Sequence, residues 1–304
     1  MKRRVIQIAG STQLVSLPRK WAIKQGIQKG DEIDVVEDGD KIVISTNKVL
    51  EVKKVQLDVK KIDNLLIRML SAYYKAGYDE VELRFNGTFP TERIADELKK
   101  HMPGFEILDQ TKSHCLIKSI SEEHVVEFEA SLRRVFLITI TMAKNMLETL
   151  KNPKENDPKQ FLVLEQTNNR FTNFCERLLN KHGLDSYKNS NLIYTIVWEL
   201  EKVADELKYM ALFIEESKLT KSVSKETLQT YESVLQLIDK FYEVYYRYDS
   251  TLLNELNDIR KKVIGDCNTL MSSKKNNEIK MIHHFINISQ MIYNMTGCLI
   301  ALKS

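Results

Sequence analysis

Apolar side chains follow two different periods along this chain. Up to about residue 120 they alternate with polar ones or form short runs broken by turn residues, whereas beyond it they recur in steps of three and four. The first pattern predicts strands with short helices, the second long amphipathic helices.

Residues 4–17, RVIQIAGSTQLVSL, predict two short strands around Gly10, Ser11 and Thr12. Pro18 presets the backbone for a short helix from Arg19 to Gln25, and Gly26 can adopt the left-handed stop. Ile33 and Val35, then Ile42, Val43 and Ile44, predict two further strands. The turn between them, Glu37-Asp38-Gly39-Asp40, contains an Asp-Gly step that favours a tight hairpin. A unit of about 46 residues buries little surface alone and is expected to need a second copy.

The next stretch alternates elements. Val49 to Leu57 is strand-like. Ile62, Leu65, Leu66, Met69, Leu70, Tyr73 and Ala76 have helical spacing up to Gly77, and Val81, Leu83 and Phe85 alternate. A second helix after Pro90 carries Ile94, Leu98 and Met102, and two strands, Phe105–Leu108 and Cys115–Ile120, complete a βαβαββ order. Such an order builds a small sheet with helices on one face. His101 and His114 read as a surface and a strand residue, and the unit reads as a connector or sensor.

Six helical stripes follow. They run Leu132 to Leu150, Phe161 to Leu178, Leu200 to Ile214, Leu228 to Tyr245, Leu252 to Leu270 and Ile282 to Leu299. Starts are marked by Ser121 with Glu122 and Glu123, by Asp157 with Pro158, and by Asp249 or Ser250. The expected fold is multi-domain and mainly α. A half β-barrel over 1–47 leads to an α+β unit over 48–120, and then to tandem antiparallel three-helix bundles over 121–218 and 219–304.

Composition supports long elements, for Gly and Pro number only 10 and 5 in 304 residues. The net charge of +3 hides an uneven distribution. Residues 1–30 hold Lys2, Arg3, Arg4, Arg19, Lys20, Lys24 and Lys29 without an acid, whereas residues 31–40 hold Asp31, Glu32, Asp34, Glu37, Asp38 and Asp40 without a base. Acid-free basic clusters, doubled by dimer symmetry, suit a phosphate backbone, and the acidic hairpin should face away. The other reading of these charges is an ordinary solvated surface on a dimerisation module. Cys115, Cys175, Cys267 and Cys298 are widely spaced and suit reduced thiols. The apolar run Val135–Met142 is too short to span a membrane, so a cytoplasmic protein is expected.

The pattern I-x-x-x-G-S-T-x-x-V-S-L-P-R-K-W, followed by K-G-D-E-I-x-V, resembles the AbrB/MazE/SpoVT swapped-hairpin family. That resemblance implies two chains interleaving into one barrel, with Lys2, Arg3, Arg4, Arg19, Lys20 and Lys24 meeting DNA. The helical part, with LEKVADELKYMA over residues 200–211, resembles the PhoU family of phosphate-uptake regulators. There the resemblance implies a divalent or iron-type metal ion at Glu201 and Asp205, which lie four residues apart on one helix face. On the residues alone, a solvated acidic stripe beside Lys202 and Lys208 is the favoured reading. In the second repeat Gln290 and Asn294 replace the two acids, and the second helix of the first repeat offers Glu165 but only Asn169 four residues later. His283 and His284 point about 100° apart on a helix and do not chelate together.

An AbrB-like front joined to a PhoU-like back resembles archaeal-type phosphate uptake regulators. It implies a homodimeric, DNA-binding transcriptional regulator that receives a signal from a phosphate-transport or phosphate-signalling protein, without membrane insertion and without a required cofactor. The alternative is an adaptor or gating subunit that binds no DNA. No HExxH, P-loop, Rossmann run or nucleophile–base pair appears, so no enzymatic activity is expected.

Overall fold

The computed structural model describes residues 2–8, 10, 12–38, 41–46, 52–59, 65–86, 91–120, 127–182, 189–273 and 276–303. They form two compact units, Met1–Val52 and Lys53–Ser304. Gly39, Asp40, Val49, Gly87, Pro90 and the expected helix start at Ser121, Glu122 and Glu123 lie outside the described residues.

In the first unit, β1 (Ile6–Ile8) and β2 (Thr12–Leu14) pair antiparallel, Ile6 opposite Leu14. Gly10 takes φ +79° in the turn between them, a region that favours glycine. A one-and-a-half-turn helix α1 (Arg19–Lys24) starts directly after Pro18. The strands β3 (Asp34–Asp38) and β4 (Lys41–Ser45) form a second antiparallel hairpin. None of the helix is buried, and Ile6, Ile8, Leu14, Val35 and Ile42 are all 45–67% exposed. Among the described residues of this unit whose burial is given, none is buried.

The second unit opens with β5 (Lys54–Asp58), α2 (Leu66–Lys75), β6 (Glu80–Arg84), α3 (Thr91–His101), β7 (Phe105–Gln110) and β8 (His114–Ser119). Its sheet runs β5-β6-β8-β7; β5 and β6 are parallel, the other pairs antiparallel, and a bulge interrupts β7 between Ile107 and Asp109. Leu70 and Tyr74 of α2 and Ile94 and Leu98 of α3 pack with Val81, Leu83, Cys115 and Ile117 of the strands. The opposite face is polar, where Glu80 accepts an ion pair from Lys118 at 3.0 Å.

Six long helices follow among the described residues: α4 (Glu127–Lys151), α5 (Pro158–His182), α6 (Ser190–Glu216), α7 (Lys225–Tyr246), α8 (Ser250–Met271) and α9 (Asn276–Lys303). Asp249 caps α8 as expected, accepting from the N–H groups of Thr251 at 2.7 Å and Leu252 at 3.3 Å. Each consecutive trio packs together, but α6 also lies on α9 and α4 on α7. The result is one continuous core through all six helices instead of a core in each bundle. The reason lies in α4, where Val135, Phe136, Ile138, Thr139, Ile140, Met142 and Ala143 are all buried. A helix that is apolar nearly all round needs neighbours on every side. Tyr231 crosses this seam, donating its hydroxyl to the Ala143 carbonyl at 2.9 Å.

Residues Asn277–Lys303 of α9 are long and apolar enough to cross a membrane by length and composition, with mean hydropathy 1.3. The expectation drawn from Val135–Met142 passed over this longer stretch. In the fold, Ile282, Phe285, Ile288, Ile292, Met295 and Leu299 of α9 are buried in the shared core. Burial likewise pushes the thiols up, Cys115 to about 11 and Cys267 to about 12.

The α+β layer and the helices belong to the same compact unit, and α5 joins them. Asn173 Nδ2 donates to the His101 carbonyl at 2.8 Å, Asn180 Nδ2 to that of Lys75 at 2.9 Å and Arg177 Nη1 to that of Tyr74 at 3.0 Å. These carbonyls lie at the ends of α2 and α3, where intrahelical donors run out, and that of Tyr74 also accepts from the Gly77 N–H at 3.0 Å. A guanidinium there also complements the negative end of the helix dipole.

Candidate nucleic-acid interface

Lys2, Arg3 and Arg4 precede β1, and Arg19, Lys20 and Lys24 lie on α1. All six are exposed. Lys20 and Lys24 are four residues apart and so share one helix face, while Trp21 and Ala22 turn partly inward. Lys2, Arg4, Arg19 and Lys20 form no ion pair among the described residues. Lysine and arginine side chains left in this state can neutralise phosphates and release the cations condensed on DNA. Asp31, which the sequence places at the start of the acidic segment, is used locally, accepting from the Gln28 N–H at 2.8 Å. Asp34, Glu37 and Asp38 lie on β3, a separate hairpin from the one that follows Lys2, Arg3 and Arg4.

The carboxylates singled out for metal stand in a different environment. Glu201 and Asp205 lie on α6, and Lys202 Nζ reaches Glu201 at 2.9 Å and Asp205 at 3.5 Å. Lys208 Nζ bridges Asp205 at 2.7 Å and Glu165 of α5 at 2.8 Å. Burial pulls the Lys208 ammonium down, but its hydrogen bonds to Asp205 and Glu165 outweigh that and hold it above the ordinary lysine value. Asn169 also donates to Glu165, at 2.8 Å. The oxygens suit a hard cation, but an ammonium already takes the bridging position between α5 and α6. The residues as arranged do not form a metal centre.

In the second repeat Gln290 donates to Asn294 at 3.0 Å, and Asn294 donates to Glu199 of α6 at 3.2 Å. His284 Nδ1 pairs with Glu206, whose other oxygen accepts from Asn287 at 3.1 Å. His283 is directed elsewhere, its ring centroid 6.3 Å from that of His284. His101 lies 3.6 Å from Glu97, and His114 lies 3.7 Å from both Glu82 and Asp109. Among the described residues no three His, Cys, Asp or Glu side chains converge on one point.

Sequence reasoning passed over Glu176 and Arg177. They interrupt the apolar stripe of α5 between Cys175 and Leu178, and both are fully buried. Two adjacent ionisable residues inside such a stripe are the signal that was available.

Residues 6–52 match the family model of MazE, described as antidote-toxin recognition, bacterial antitoxin. The match ends where the first compact unit ends. No curated protein matches the chain, and no solved structure does.

Proposed function

We propose that this chain is a homodimeric DNA-binding regulator. Its MazE-like unit pairs with that of a second copy and holds DNA through Lys2, Arg3, Arg4, Arg19, Lys20 and Lys24. The observation that carries this reading is the first unit itself, with uncovered apolar strands beside an acid-free basic cluster. Covering Ile6, Ile8, Leu14, Val35 and Ile42 with the same residues of a second chain removes apolar area from water and doubles the basic surface.

The finer reading is regulation of phosphate uptake. It draws on LEKVADELKYMA and on the two trios of helices, and assigns the helical body to contact with a phosphate-transport or phosphate-signalling protein in the cytoplasm. The protein acts without chemistry of its own and without a required cofactor. A ligand-free helical body and one holding a partner need differ only in how well each tolerates the DNA-bound dimer. The description of the matching family favours a second reading, an adaptor whose first unit recognises a protein.

Titration of labelled promoter DNA at several salt concentrations tests the first reading. Each phosphate contact contributes a slope of about −0.9 in log affinity against log salt, so removing Arg19 and Lys20 from both protomers flattens it by up to about 4. Absence of binding at low salt, with partner capture intact, establishes the adaptor. Genomic footprinting at high and low phosphate tests the phosphate reading, which fails if occupancy ignores phosphate.

A further inference from the structure

The four-stranded sheet has two edges, β5 and β7. The β7 edge is interrupted by its bulge between Ile107 and Asp109, a device that spoils pairing with a further strand. β5 carries no bulge. Its residues Lys54 to Asp58 pair with β6 in unbroken parallel register, and among the described residues no strand lies on its other side.

The direction of its backbone groups follows from Lys53. The Lys53 carbonyl accepts from the N–H groups of Asp79 at 2.8 Å and Glu80 at 3.1 Å, and its own N–H donates to Asp79 Oδ2 at 3.1 Å, so Lys53 faces β6. Peptide groups alternate in direction along a strand, which turns those of Val55 and Leu57 to β6 and those of Lys54 and Gln56 to the open edge. Side chains alternate between the two faces. Leu57 is buried and Val55 packs beside it in the core shared with α2 and α3, whereas Lys54, Gln56 and Asp58 are exposed on the other face.

The strand Lys-Val-Gln-Leu-Asp is its own complement in antiparallel pairing. With Gln56 opposite Gln56 of a second copy, Lys54 stands opposite Asp58 and Val55 opposite Leu57. Opposite charges facing across a strand pair stabilise it and like charges destabilise it. Centring the pair on Lys54 or Asp58 sets like charges together, and centring it on Val55 or Leu57 puts Gln56 opposite Lys54 or Asp58. We infer that β5 is a self-recognition edge: in the dimer, the β5 strands of two copies pair antiparallel about Gln56 and join the two sheets into one. This rests on the dimer proposed above for the first unit, because a five-residue strand pair is far smaller than a stable interface. Lys54 lies two residues beyond Val52, where the first unit ends, so joined first units hold two β5 strands at high local concentration. Pairing gives the edge groups of Gln56 backbone partners and lays Val55 against Leu57 of the second copy, extending the apolar layer on that face.

Cysteine cross-linking in the full-length protein tests this. Facing residues of a hydrogen-bonded antiparallel pair have Cα atoms about 5.5 Å apart, within disulfide reach, whereas Lys54 of one copy would lie roughly 14 Å from Lys54 of the other. Under mild oxidation Gln56→Cys should therefore cross-link at least about tenfold faster than Lys54→Cys or Asp58→Cys, and combining the last two in one chain should restore the fast reaction. All three positions are exposed, so the variants fold as the parent does. Cys115, Cys175 and Cys267 are buried, and the wild type supplies the background from Cys298. Sedimentation of each variant reads the dimer separately. A dimer in which Gln56→Cys reacts no faster than Lys54→Cys overturns the pairing of β5 and leaves the dimer of first units standing. A double variant as slow as its two parents also overturns it, since the register is then different. A protein that sediments as a monomer overturns both readings.

Discussion

Arg177 Nη2 donates to Asp79 Oδ1 at 2.8 Å, and through this bond a helix of the bundle holds the first residue before a sheet strand. The guanidinium is wholly buried and lies 5.0 Å from the Tyr74 ring centroid and 5.1 Å from that of Phe105. Lys181 Nζ approaches the same Asp79 oxygen at 2.6 Å, and the Lys53 N–H donates to the other at 3.1 Å. Two cations from α5 therefore converge on one carboxylate at the entrance to β6.

Removing Asp79 leaves the buried guanidinium without its carboxylate, whereas removing Arg177 leaves Asp79 paired with Lys181. Asp79→Ala is expected to cost about 3–5 kcal/mol in denaturant unfolding, and Arg177→Met less. The double variant should cost clearly less than the sum, because the guanidinium that Asp79→Ala strands is then gone. An additive double variant would mean that the two residues act separately.

The same carboxylate sets an acid limit. Burial pushes Asp79 up, but Lys181, the Lys53 N–H and Arg177 outweigh it and hold it below the ordinary value of 3.8. The folded form thus keeps its charge where the unfolded form has begun to protonate. Its contribution is complete above pH 3.8 and is lost as pH falls through the lower, folded value. Wild type minus Asp79→Asn stability, followed by circular dichroism, should shrink only on that acid side.

Glu176 carries the opposite sign. Burial pushes its carboxyl above the ordinary 4.5, and the Lys75 ammonium only partly offsets this. Between 4.5 and the raised value the folded state holds a proton that the unfolded state has released, so stability falls as pH rises through that window. Relative to Glu176→Gln, wild type should lose stability on going from pH 4.5 to neutral. A gap that widens in the other direction would refute this assignment.

Gly77 follows α2 at φ +79°, and a Cβ there would lie 3.0 Å from Lys181 Cβ and 3.2 Å from its Cα. Both the backbone conformation and the approach of α5 exclude a side chain. Gly77→Ala should destabilise by about 1–3 kcal/mol, read as a lower denaturation midpoint at unchanged slope.

In the first unit, Ile6 and Ile42 are 58% and 67% exposed. Ile6→Asp or Ile42→Asp should convert the dimer to monomer in sedimentation analysis and abolish DNA binding. Unfolding of residues 53–304 should be unchanged, since those residues have cores of their own. A dimer that persists in both variants would place the self-contact elsewhere.

The helices of the second unit were legible because each buries a stripe whose spacing matches the helical period. Leu200, Val203, Leu207, Met210 and Ile214 all prove buried. The βαβαββ order was legible for the same reason, from Val81 and Leu83 in alternation and from Ile94 and Leu98 one turn apart. The basic cluster at Arg3, Arg4, Arg19 and Lys20 needed only a count of charges.

What the chain could not declare in one dimension is which partner each polar group finds. Periodicity marks a face as buried but does not say against what, so two tandem bundles and one six-helix core look alike until α6 meets α9. Glu201 and Asp205 stand four apart in either case, and only folding brings Lys208 between Asp205 and Glu165. Arg177 and Asp79 are 98 residues apart and become a pair only when α5 docks on the end of α2. Local structure follows from spacings within a turn or a strand. Charge pairing depends on distances of a few ångströms between segments far apart in the chain, and tertiary packing alone decides those.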